Sequence, residues 1–82
     1  MRLTANEVGQ HILRVVQGKT NRKELTRLAL RWMLDRRRVP YEPEREEAIK
    51  DAVTTLLAMD EGPEYELTDI ELMAMARNLL SQ

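Results

Sequence analysis

The chain has no cysteine and no phenylalanine, one histidine, one tryptophan, and only three glycines and three prolines in 82 residues. Without cysteine there is neither a disulfide framework nor a thiolate zinc site. With His11 alone, a histidine-based metal site has no second ligand of its kind. Scarce glycine and proline leave few breaks, and the missing phenylalanine, with only two tyrosines, removes much of what favours strands. No stretch approaches the roughly 20 apolar residues that span a bilayer, and the start "MRLTANEVGQHILRVVQ" lacks the apolar run and small-residue cleavage site of a signal peptide. The expectation is a cytoplasmic protein with no membrane association.

What is abundant is Ala, Leu, Met, Glu and Arg, a helix-forming set, and the apolar residues recur at helical spacing. Thr4 and Glu7 stand at capping-box spacing, with Leu3 and Val8 as a staple. Val8, Ile12, Val15 and Val16 form one stripe, and Gly18 is a left-handed terminator. Asn21 and Glu24 open a second helix with the stripe Leu25, Leu28, Ala29, Trp32 and Met33, which Pro40 closes through its restriction of Val39. Pro43 suits the first turn of a third helix, whose apolar face is Ile49, Ala52, Val53, Leu56 and Leu57 and which ends before "DEGP". Thr68 and Glu71, with Leu67 and Leu72 as staple, start a fourth that carries Leu72, Met75, Ala76, Leu79 and Leu80. The pattern predicts an all-α, compact bundle of four helices at about 5–17, 21–37, 43–59 and 69–81, in one domain covering 1–82. Trp32, central in its stripe, is the expected main core anchor, and His11 a boundary residue with one nitrogen toward solvent.

Charge is divided along the chain. Residues 1–41 hold ten Lys/Arg against three Asp/Glu, a balance of +7; residues 42–82 hold three against eleven, a balance of −8. Such halves either attract partners of opposite sign or neutralise each other on folding. On a helical projection Lys23, Arg27, Arg31 and Arg38 share a narrow sector opposite Trp32, the footprint of a helix that meets phosphate backbone. Leu30 and Leu34 lie beside that sector. They are either an apolar patch for a partner or, the favoured expectation, a second buried face, since a helix in a small bundle commonly packs on two others. Arg36, Arg37 and Arg38 complement the C-terminal end of the second helix, as Glu44, Glu46 and Glu47 complement the start of the third.

The carboxylates of 60–71 exceed what capping requires. With Tyr65 among them, Glu46, Glu47, Asp60, Glu61, Glu64, Glu66 and Asp69 form the expected surface for a basic protein partner. The Asp-x-Asp-x-Asp-Gly ligand spacing of a calcium loop is absent from 60–71, and no apolar pocket is evident that would separate the acidities of two carboxylates for catalysis. No constellation for nucleophilic, acid–base or metal chemistry stands out, so no cofactor and no enzymatic activity are expected.

The segments "NEVGQHILRVVQGKTNRKELTRLALRWMLD", "EAIKDAVTTLLAMD" and "GPEYELTDIELMAMARNLL" resemble small all-helical bacterial proteins of the toxin-immunity type or of no assigned function. The matching positions are Val15 and Gly18; Asn21, Arg22, Glu24, Ala29 and Trp32; Leu56 and Asp60; Pro63, Tyr65 and Leu67; and Asp69 with Ile70. Leu28 and Met73 stand where that group has tryptophan. The resemblance implies a stoichiometric protein binder that occludes a toxin without catalysis. The second reading is a small nucleic-acid-binding regulator that uses Lys23, Arg27, Arg31 and Arg38.

Overall fold

Local start signals dictate where the helices begin. In the computed structural model, which describes residues 2–81, these are α1 (Ala5–Val16), α2 (Arg22–Leu34), α3 (Glu46–Ala58) and α4 (Asp69–Leu80). The backbone N–H of Glu7, Glu24 and Glu71 donates to the side chain of Thr4, Asn21 and Thr68 at 3.1, 2.9 and 3.2 Å. Each contact satisfies one of the N–H groups that a first turn leaves free. Only α4 completes the reciprocal box, with the Thr68 N–H donating to Glu71 at 3.1 Å. At α1 a residue far along the chain joins the cap instead, since the Ala5 N–H donates to Glu42 at 2.9 Å.

Gly18 ends α1 as its sequence position predicts. It adopts φ 78°, its N–H donates to the Val15 carbonyl at 3.1 Å, and the Lys19 N–H donates to Arg14 at 2.8 Å, a Schellman closure. The end of α2 differs from expectation. The helix stops at Leu34 rather than Arg37, because Asp35 leaves helical geometry (φ −92°, ψ 11°) and its carbonyl accepts the N–H groups of Arg38 and Val39 at 2.9 and 2.8 Å. Arg36, Arg37 and Arg38 therefore lie in a turn beyond the helix, and of the arginines only Arg31 occupies its last turn. Arg36 instead stacks over Tyr41, 4.6 Å from the ring centroid, and pairs with Glu46 at 3.7 Å.

Pro43 opens a single 3-10 turn, Pro43–Arg45, rather than α3 itself, and the non-helical backbone of Arg45 (φ −131°, ψ 23°) delays the α-helix to Glu46. Before that turn an unanticipated contact ties the chain's start to its middle. Leu3 and Tyr41 form an isolated parallel bridge, in which the Leu3 N–H donates to Pro40 at 2.9 Å and the Glu42 N–H donates to Leu3 at 2.8 Å.

The helices alternate in direction around one core. The start of α1 (Thr4 to Asn6) lines one hollow with the end of α4 (Asn78 to Ser81), and the start of α2 (Lys23, Thr26) shares another with Leu57 near the end of α3. α1 packs most closely on α4, with Gly9 against Ala76 and Leu80, and α2 packs mainly on α3. Val8, Ile12, Leu25, Ile49, Leu56 and Leu72 are the largest fully buried side chains, joined by Leu3, Ala29, Tyr41, Val53, Ala76 and Leu79. Trp32 is not the central anchor: it is half-buried at the rim, its ring 5.5 Å from that of His11. Leu25 and Ala29 are the buried residues of α2, which packs broadly on α3 and only lightly on α1. For the same reason Met33 leaves the core stripe, and Leu30 and Leu34 form no second buried face. Leu30, Met33 and Leu34 are 44%, 46% and 69% exposed.

Candidate functional site

The acidic residues that the sequence groups together fall at two ends of α3. Glu46 and Glu47 occupy its first turn, whereas Asp60 and Glu61 lie just past its last, a separation of about 20 Å at 1.5 Å per residue. Glu46 is engaged with Arg36. The acidic surface thus divides into an isolated pair at one end of the molecule and a continuous segment, residues 60–71, at the other.

That segment is fastened at its C-terminal side. Arg22, at the first position of α2, donates from Nε to the Leu67 carbonyl at 3.2 Å and from its second guanidinium nitrogen to Asp69. The box of Thr68 and Glu71 fixes the turn into α4. A 3-10 turn, Pro63–Tyr65, carries Glu64 and Tyr65, which are exposed together with Glu66. Tyr65 is 50% exposed and Ile70, on the outer face of the first turn of α4, is 83% exposed. Two apolar side chains therefore stand in water among Asp60, Glu61, Glu64, Glu66, Asp69 and Glu71. Ile70 belongs to this surface, in keeping with its place outside the apolar stripe of the fourth helix.

Of the four cations read as one row, Lys23, Arg27 and Arg31 stay on successive turns of α2, whereas Arg38 does not. Lys23 and Arg27 line a hollow of about 440 Å³ with Leu30, Leu57, Asp60 and Glu61, so opposite charges stand across it. Arg31, with Arg27, borders a different hollow of about 350 Å³ whose other walls are His11, Arg14, Thr20, Glu24 and Leu28. Arg38 sits beyond the end of α2. The helical projection could not reveal Arg14 as a neighbour of this group, because it belongs to α1.

A further hollow, of about 710 Å³, separates the start of α1 from the end of α4, and its charged groups are already engaged. Arg45 donates to the carbonyls of Asn78, at 2.7 Å, and Ser81; Glu42 accepts from Ala5; Arg2 approaches Glu44 at 4.0 Å. These contacts join the helix ends across that seam. Tyr41, next to Glu42 in the chain, is buried, and burial raises its phenol pKa above the ordinary 10.0, an effect that the nearby Arg36 cation opposes. Among the described residues no three metal-ligating side chains come together, and no helix is long and apolar enough to cross a membrane. Comparison with family models, curated proteins and solved structures finds no match to this chain.

Proposed function

We propose that the chain is a non-catalytic protein-binding module of the toxin-immunity type, which occludes a basic protein partner with its 60–71 segment. The observation that carries this reading is the exposure of Ile70 at 83% and Tyr65 at 50% inside a segment of six carboxylates. Apolar anchors within a charged rim are the arrangement that concentrates binding energy, with the anchors setting affinity and the rim setting encounter rate and specificity. Arg22, Thr68 and Glu71 hold the C-terminal half of the segment before any partner arrives, which lowers the ordering cost of association.

The experiment is affinity capture from a bacterial lysate, followed by equilibrium binding to the captured protein. Ile70→Ala and Tyr65→Ala each weaken binding by about tenfold or more, an anchor-sized loss, through faster dissociation. Glu64→Lys with Glu66→Lys slows association and weakens its dependence on ionic strength. Leu34→Ala, on the outer face of α2, serves as the control. Binding that survives all the 60–71 substitutions but is lost with Leu34→Ala transfers the docking site to α2 and overturns the assignment.

A further inference from the structure

Where α1 and α2 lie side by side, three arginines converge on one concavity. Arg14 comes from the last turn of α1, and Arg27 and Arg31 come from successive turns of α2. With His11, Thr20, Glu24 and Leu28 they wall a hollow of about 350 Å³. Glu24 is the one carboxylate in that wall, and it is already 3.2 Å from Arg27. Neither Arg14 nor Arg31 has a carboxylate within ion-pair distance among the described residues. Arg14, Arg31 and the partly paired Arg27 border one hollow from two helices, so an anion seated there meets positive charge from both sides. The Thr20 hydroxyl and the His11 imidazole add hydrogen-bonding groups of the kind that complete an oxyanion's shell.

We infer that this hollow is an anion site that takes a phosphate group. Arginine matches phosphate with paired N–H donors, and the volume is at the lower end of small-ligand sites, enough for a phosphate and part of what it is attached to. Leu28 gives the wall one apolar contact for that attached group. A free phosphate ester and the backbone of a nucleic acid present the same chemistry here. The site shares Arg27 with the hollow that reaches Asp60 and Glu61, but none of its other walls belongs to the acidic 60–71 surface. It also differs from a simple row along α2, since it requires Arg14 and does not use Lys23 or Arg38.

Amide chemical-shift titration with inorganic phosphate, adenosine monophosphate and a short DNA duplex, each against chloride at equal ionic strength, tests the inference. Saturable shifts centred on His11, Arg14, Thr20, Arg27 and Arg31 are expected with phosphate. Arg14→Gln and Arg31→Gln each weaken binding by about tenfold, the loss of one charge-assisted contact. Glu24→Gln, which removes the competing carboxylate, strengthens it several-fold, a gain that unfolding cannot mimic. Lys23→Gln and Arg38→Gln leave it unchanged. Tighter binding of the duplex with a steep salt dependence identifies a nucleic-acid backbone as the source, and equal affinity for the mononucleotide with a shallow dependence identifies a free ester. Shifts that chloride reproduces, or equal weakening by Lys23→Gln and Arg14→Gln, overturn the site, because either result means diffuse attraction to a basic surface.

Discussion

Gly9 and Gly18 resist substitution for opposite reasons. At Gly18 the space is open, with nothing within 4 Å of an added Cβ, but φ is +78°. Gly18→Ala should therefore cost about 1 kcal/mol of stability through left-handed backbone alone, and Gly18→Asn less. At Gly9 the backbone is helical, but a Cβ would meet the Leu80 Cγ at 2.8 Å and the Ala76 carbonyl oxygen at 3.3 Å. The helix preference for alanine returns about 1 kcal/mol, against an overpacking cost of about 1–3 kcal/mol. Because one obstacle is backbone, rotating Leu80 cannot clear the whole clash. Gly9→Ala should lower the urea midpoint with the slope unchanged. A midpoint at or above the parent's means that α1 and α4 separate without cost. Tyr41 adds a pH dependence whose sign follows from its burial. Its folded pKa lies above the unfolded 10.0, so the fold prefers the neutral phenol; that contribution is complete below pH 10.0 and is lost as pH rises through the folded value. Stability measured on an alkaline series should fall more steeply for the parent than for Tyr41→Phe.

At the scale of elements, the helix starts were legible because their signals are local. Thr4, Asn21 and Thr68 each lie three residues before a glutamate, and each forms the contact that spacing predicts. The end of α2 and the delayed start of α3 were not legible: the first depends on a backbone turn at Asp35, the second on Arg45, and neither residue type demands the geometry it adopts. The bridge between Leu3 and Tyr41 was invisible because its partners are far apart in sequence. Periodicity also places Leu30 and Leu34 on one face without saying whether a neighbour covers it. The acidic and basic residue types of the candidate surfaces were readable in the same way. Their grouping was not, since helix length puts Glu46 and Asp60 at opposite ends and an adjacent helix puts Arg14 beside Arg31. A direct check on the exposed face is the double substitution Leu30→Ser with Leu34→Ser. It should leave the unfolding free energy within about 0.5 kcal/mol of the parent, whereas Leu25→Ala, fully buried on the same helix, should cost about 2–5 kcal/mol.

Across the whole molecule, folding brings the two oppositely charged halves together. Of the four ion pairs among the described residues, Arg2 with Glu44, Arg22 with Asp69 and Arg36 with Glu46 each join a cation of the first half to a carboxylate of the second; the fourth, Arg27 with Glu24, lies within one half. The pairs are solvent-accessible, so each contributes only about 0–1 kcal/mol, but all three cross-half contacts weaken together as salt rises. Urea titrations should accordingly show stability falling by about 1 kcal/mol between low salt and about 1 M sodium chloride. Arg22→Asp should be destabilising alone and partly rescued by Asp69→Arg, whereas a salt-independent midpoint would mean that the division of charge has no role in folding. Phosphate should act in the opposite direction, because an anion bound to the folded state between Arg14, Arg27 and Arg31 stabilises it by mass action. Phosphate is also excluded from protein surface and strengthens burial in general, but that effect acts on every variant alike. The part of the phosphate stabilisation that Arg14→Gln and Arg31→Gln remove, and Lys23→Gln does not, is the contribution of the hollow between α1 and α2.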